Sequence, residues 1–337
     1  MNLKNIVIAL SLVMSVSAVA SEVNVYSGRK ENLIKPLLDR FTAETGIKTN
    51  LVTAKADALL TRLQNEGRNT SADLFITVDA GNLHRAKQAG VFASVNSDRL
   101  NAAIPSHLRD PDGNWVGLSK RARVIFYAKD RVQPSELSTY EDLASDKWKK
   151  RICIRGSSNI YNQSLVASMI DANGKQATQD WTNKLVQNMA RPPKGGDRDQ
   201  IKAAAAGQCD LAIANTYYYG TMLSDTKDTA QLKAAQAMGV FWPNQNGRGT
   251  HVNISGAGIT RHAKNPVNAL KLLEFLVSEE SQKWYAEVNY EYPVIDNAEI
   301  SQLVKSWGSF KSDTLNLDIL GENNAEAVRM MDRAGWK

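Results

Sequence analysis

The chain has 337 residues, 43% of them hydrophobic and 23% charged, with a formal net charge of +6. That balance belongs to a globular protein and excludes a disordered or low-complexity chain. The positive excess is spread along the sequence rather than gathered into basic runs, which argues against a nucleic-acid-binding surface.

The chain opens MNLKNIVIALSLVMSVSAVA, with a positive start at Lys4, an apolar stretch from Ile6 to Val13 and an Ala18-Val19-Ala20 ending. This pattern is that of a secretory signal peptide over residues 1–20, with cleavage expected after Ala20. The apolar run falls short of the ~20 residues that span a bilayer, and no later stretch approaches that length. About 317 residues then remain, enough for two ordinary domains, and the mature protein is expected to be soluble and exported.

EVNVY (22–26) reads as a first strand, followed by a helix with Leu33, Leu37, Leu38 and Phe41 on one face and Gly46 as its stop. IKTNLV reads as a second strand, and ADALLTRLQNEG as a second helix, with Leu59, Leu60 and Leu63 apolar and Gly67 at its end. ADLFITV (72–78) is a third strand, and LHRAKQAGVF continues as a helix. This rhythm predicts a parallel sheet with right-handed crossovers. It returns after WVGLSKRARVIFYAKD: KRICIRG is a strand, and SSNIYNQSLVASMIDANG a helix with Leu165, Val166, Met169 and Ile170 apolar. DRDQIKAAAAGQ is a further helix between an Asp197 cap and a Gly207 stop, and CDLAIAN is the next strand. No fixed-period repeat and no flexible linker interrupts the two α/β units. Two such units facing each other place the carboxyl ends of their strands across a cleft, where ligands bind.

The chemistry-bearing residues stand at those strand ends. Tyr217, Tyr218 and Tyr219 follow CDLAIAN, and Tyr161 lies in the first turn of the helix after RICIR. Alternation along a strand prevents three consecutive tyrosines from entering one core, although one sheet edge could use them all as packing, and taken alone the run reads that way before the rest of the chain is weighed. Cys153 and Cys209, the only cysteines, each precede a tyrosine of this set by eight residues. In an exported protein they read as one disulfide, the alternative being two buried thiols. A bond would make their strands neighbours and bring the two tyrosine turns out at similar heights. Arg121 and Arg123 alternate onto one face of a strand, as an anion receptor requires, or else as two solvated surface arginines.

Phenolate is a hard anionic oxygen donor, and a tyrosine ionises at neutral pH only beside strong positive charge. Ferric iron supplies that charge and displaces the protons. Zinc or calcium would call instead for clustered histidines or carboxylates. An enzyme reading finds no G-x-S-x-G elbow, P-loop or H-E-x-x-H helix. The glycine-rich NQNGRGTHVNISGAG reads as a loop entering a crossover strand. A receptor of the same architecture for a small organic or inorganic anion, bound by Arg121 and Arg123, is the rival reading.

With SSNIYNQSL and ANTYYYG in view, the chain resembles the periplasmic ferric-binding proteins of bacterial ABC iron importers, the bacterial transferrins. The likeness extends through VYSGRKENLIKPLLDRFTAETG, ADLFITVDAGNLHRA and WVGLSKRARVIFY and covers essentially the whole mature chain. It implies an α/β, two-lobed periplasmic binding protein of type II, with crossover strands near residues 120 and 243. The first lobe would comprise 21–119 and 244–295, and the second 120–243 and 296–337. By the same resemblance, Tyr161, Tyr217 and Tyr218 are ligands to Fe3+, and Tyr219 is left to packing or to the rim. Arg121, with Arg123 beside it, receives a synergistic anion such as carbonate or citrate. The implied protein is a periplasmic monomer, not an enzyme, that takes ferric iron or a ferric chelate and hands it to an inner-membrane permease. Some members carry a histidine or a further tyrosine after the first strand, where this chain has Arg29, Lys30 and Glu31. Glu31 is either a carboxylate ligand or, as preferred here, the partner of a neighbouring cation. With no fourth phenol, the site should depend more on the external anion. His84, His107, His251 and His262 lie outside these motifs and are read as non-ligands.

Overall fold

The computed structural model describes residues 21–296 and 298–337; the expected signal peptide lies outside them. Strand β1 (Glu22–Ser27) pairs in parallel with both β2 (Lys48–Thr53) and β3 (Leu74–Val78). The helices Lys35–Thr45 and Ala56–Glu66 make the two crossovers and turn Leu37, Leu38, Phe41, Leu59 and Leu63 into the core. The first of them ends at Gly46, whose φ of 70° lets its N–H close onto Thr42 O. This part of the chain folds as its apolar periodicity dictates.

Strand β4 (Val116–Ala128) is the longest and is buried along almost its whole length, as expected of a strand covered on both faces. The remaining strands are β5 (Ile152–Cys153), β6 (Leu211–Asn215), β7 (Met238–Phe241) and β8 (Val252–Ile259). The path runs β2-β1-β3-β8-β4-β6-β5, and β7 also pairs with β4. The first part of β4, from Val116 to Ala122, pairs antiparallel with β8. Its second part, from Arg123 to Tyr127, pairs antiparallel with β6, and β7 lies along its end. One continuous strand thus belongs to two sheet halves, and the chain returns between them from β7 to β8.

The apolar core follows this division in part. One cluster fills the first half and continues under the helix Ile160–Asn173, while a second gathers Phe126, Ala212, Tyr219, Met238 and Trp242. Cys153 on β5 is bonded to Cys209, just ahead of β6, with Cα atoms 5.9 Å apart. That bond reinforces the parallel pairing of Ile152 with Leu211.

The C-terminal segment, expected with the second half over 296–337, touches both halves: Leu317 N–H donates to His107 O at 3.0 Å and Asn316 bonds to Ser106 O. Beyond them, the helix Asn324–Arg333 buries Met330 and Met331 and packs on the helix Ile160–Asn173. The polar stretch before that helix needs backbone partners and finds them on the first half; its apolar face finds cover on the second. Among the described residues no helix is long and apolar enough to cross a membrane.

Candidate metal centre

Two helices deliver the phenols. The helix Ile160–Asn173 is capped by Asn159, whose side chain accepts from the Tyr161 N–H at 3.2 Å, and this fixes Tyr161 in the first turn. The helix Thr216–Ser224 starts directly where β6 ends. The three consecutive tyrosines therefore lie on a helical turn, where successive side chains point about 100° apart. Tyr219 turns inward: it is buried, donates to Met238 O at 3.0 Å, and packs against Phe126 and Trp307. Tyr217 and Tyr218 stay half-buried, with ring centroids 4.2 Å apart.

Tyr217 Oη donates to Tyr161 Oη at 3.3 Å. Burial, and then the neighbouring Tyr218 phenol, push the Tyr161 pKa above its ordinary value, although Arg121 opposes the shift. Burial, together with Tyr161 and Tyr218, raises Tyr217 further. Guanidiniums ring the group: Arg121 and Arg155 lie over the Tyr161 ring at 5.4 and 5.8 Å, and Arg198 over Tyr218 at 5.8 Å. Tyr161 and Tyr217 are thus protonated near neutral pH, in a surrounding positive field that favours negative charge once the protons leave. Among the described residues no group of His, Cys, Asp and Glu has the makings of a metal site. The oxygen donors gathered here are phenolic, which suits a hard trivalent cation.

The paired arginines separate. Arg123 donates to Asp197 Oδ1 at 3.1 Å, Asn215 Oδ1 at 3.0 Å and Asn162 Oδ1 at 2.6 Å, and reaches Ile213 O. Its two Nη atoms are held by the fold, while its Nε has no hydrogen-bond partner and the side chain lines the same small cavity as Arg121 and Tyr161. Arg121 is only 2% exposed, yet its Nε and Nη2 have no hydrogen-bond partner, and its Nη1 makes only a 3.5 Å contact to Ser255 Oγ. Buried donors of this kind are costly unless something accepts from them.

The turn after β1 also divides. Arg29 is buried, bonded to Glu291 at 2.8 Å and to Ser119. Glu31 is exposed and makes no ion pair among the described residues, so the pairing preferred from sequence is absent; its neighbour Arg29 is already taken. Of the histidines, His84 bonds to Asp318 at 2.7 Å, away from the phenols. His251 lies beside Arg121 and Tyr161; burial, and then Arg123, Arg248 and Arg121, push its pKa down to about 3. It is neutral; from sequence it was read as a non-ligand outside the motifs. Arg155, Arg198, Asp79 and Asn253 were not singled out at all. Arg155, two residues beyond Cys153 on the same strand exit, carried the one usable signal.

The sequence pattern of the bacterial extracellular solute-binding proteins matches residues 69–316, about three-quarters of the chain. The chain belongs to that family. This solute-binding protein is 52% identical over 316 residues to Iron uptake protein A1 of Synechocystis, covering 94% of its own length and 88% of that relative. It is 26% identical over 341 residues to the major ferric iron-binding protein of Neisseria meningitidis, covering 98% and 97% of the two chains. Among solved structures it matches the Trichodesmium protein IdiA (FutA), in complex with iron and citrate ligands, with a TM-score of 0.91 and 51% identity. That match covers 94% of this chain and 100% of the other. The ferric binding protein from Campylobacter jejuni matches with a TM-score of 0.88 and 40% identity, again over 94% and 100% of the two chains. The solute-binding protein has the two-lobed type II fold of these ferric-binding relatives, with β4 running from one lobe to the other.

Proposed function

We propose that this protein is a periplasmic receptor that binds ferric iron through the phenolates of Tyr161, Tyr217 and Tyr218, with an anion on Arg121. The observation that carries this reading is the convergence of three phenols from two helices, with Tyr217 Oη 3.3 Å from Tyr161 Oη, beside a buried guanidinium with unused donors. Iron would displace the phenolic protons and take their oxygens as ligands; the anion would satisfy Arg121 and complete the coordination. Glu31, exposed on the turn after β1, is the candidate for an additional carboxylate ligand. Citrate accompanies iron in the Trichodesmium relative, which supports a carboxylate anion here.

The receptor is a transport protein, not an enzyme, in line with its relatives' names as iron uptake and iron-binding proteins. It is exported by the segment 1–20, works as a monomer and passes its iron to an inner-membrane ABC permease. Its lobes comprise 21–119 with 244–295, and 120–243, joined by β4 and the 242–251 return, with the C-terminal tail clasping both. An anion-only receptor would use Arg121 equally well but gives the phenol cluster no task.

Titration of the metal-free mature protein with ferric citrate tests the reading. A broad visible phenolate-to-iron charge-transfer band, saturating at a single iron per chain, is expected. A protein that stays colourless overturns it.

A further inference from the structure

Asp79 occupies an unusual position at the end of β3. It is fully buried, holds a φ of 78°, and caps the helix Ala80–Gln88 by accepting from the Gly81 N–H at 2.9 Å. Its Oδ1 also accepts from Ser164 Oγ at 2.6 Å, and its Oδ2 from Asn253 Nδ2 at 2.9 Å. Ser164 lies three residues beyond Tyr161 on the same helix, and Asn253 lies on β8. One carboxylate therefore ties the first lobe, the returning strand and the phenol-bearing helix together. Its nearest cation is Arg121, with Nη2 3.8 Å from Oδ2, too long for a hydrogen bond but close for two buried charges.

The carboxylate and the guanidinium are adjacent, buried and opposite in charge, yet they do not bond. The hydrogen bonds of Asp79 explain why. Ser164, Asn253 and Gly81 hold both of its oxygens and draw it back from Arg121, whose Nε and Nη2 remain without partners. We propose that Asp79 is the resident counter-ion of Arg121, held just short of contact so that the guanidinium keeps its donors for an incoming anion. Asp79 is then a positioning residue that sets the anion requirement of the iron site. It supplies the charge that keeps Arg121 in place, and it repels the second negative charge that the anion brings. Weakening its restraints lets it fold onto Arg121 and close the anion site; removing its charge lets the anion bind more tightly. This inference rests on the ferric-receptor reading above, to which it adds the residue that regulates anion capture.

The test is the citrate concentration that half-saturates the charge-transfer band at fixed iron, measured for wild type, Asp79→Asn and Ser164→Ala. Asp79→Asn keeps an acceptor for Gly81 and Ser164 and gives up the bond from Asn253; it is expected to need about tenfold less citrate. Ser164→Ala, which frees the carboxylate, is expected to need more citrate than wild type. In the iron-free protein, citrate should raise the unfolding temperature more in Asp79→Asn than in wild type. A citrate requirement for Asp79→Asn equal to or above that of wild type overturns the proposal, since a purely structural cap would lower stability and leave the anion requirement alone. Should Asp79→Asn fail to fold, Ser164→Ala decides: a raised requirement supports the proposal and an unchanged one overturns it. A wild type that is colourless at every citrate concentration overturns the ferric reading itself, and this inference with it.

Discussion

The hydroxyl of Tyr217 donates to that of Tyr161 across 3.3 Å, joining two helices that leave neighbouring strands. The contact follows from what lies beneath it. β5 and β6 pair in parallel, the disulfide ties Cys153 to Cys209, and both chains exit the sheet at the same end. Cys153 pairs with Ala212, and the helices that follow each strand bring Tyr161 and Tyr217 together at that end. Burial raises the pKa of both phenols, so without metal the pair is a neutral hydrogen bond, and a ferric ion would replace its proton.

Phenylalanine substitutions divide the tyrosine run by function. Tyr161→Phe, Tyr217→Phe and Tyr218→Phe should each remove most of the iron colour and weaken ferric binding by at least about tenfold. Tyr219→Phe should leave the colour nearly intact. It loses only a buried bond to Met238 O, and stability should fall by about 1 kcal/mol. Visible spectra and denaturant titrations of the four variants check this. Equal colour loss at all four positions would show that Tyr219 leaves the core to reach the metal.

Iron binding should be steeply pH-dependent. Tyr161 and Tyr217 sit above their ordinary pKa, so both are protonated in the metal-free protein from acid to neutral pH. Each phenol that ligates must give up a proton, so falling pH opposes binding. With three phenolate ligands the logarithm of the affinity should change by about three per pH unit. Counting protons released per iron in weakly buffered solution measures this directly. Release of no protons would mean that the phenols do not ligate.

The first three strands and their helices were legible because each apolar face repeats with the helical or strand period and Gly46 and Gly67 mark the stops. The tyrosine run was less so. Aromatic residues after a strand look like more strand, and only the end of β6 at Asn215 shows that a helix begins there. The fate of Arg123 was illegible for a different reason. Its partners Asn162, Asp197 and Asn215 lie 39, 74 and 92 residues away, and no local pattern announces them. Asp79 and His251 reach the site in the same way, from distant strands. The bonds of the C-terminal tail to His107 and Ser106 come from irregular backbone, which no local pattern announces.

Arg121 and Arg123 should fail differently. Arg121→Gln should raise the citrate needed for full colour, because the N–H groups without partners are the ones lost. Arg123→Ala should act mainly on stability. It takes one of two cationic partners from the buried Asp197 and leaves Asn162 and Asn215 without a donor, a loss of about 3–5 kcal/mol. Thermal unfolding beside citrate titration separates the two. If Arg123→Ala folds with normal stability but needs more citrate, its guanidinium also serves the anion.

The disulfide should matter for stability more than for iron. Cys153 and Cys209 are 56 residues apart in sequence, and opening a loop of that size costs about 4 kcal/mol in the chain-entropy view. The double variant Cys153→Ala, Cys209→Ala should unfold at clearly lower denaturant. Under native conditions, however, β5 and β6 remain paired through Ile152 and Leu211, so the tyrosine helices keep their starting points. The colour and the iron stoichiometry should therefore survive. Denaturant curves and ferric titrations of the same variant decide the matter. A stable protein with a weakened band would show that the bond, rather than the strand pairing, sets the distance between Tyr161 and Tyr217.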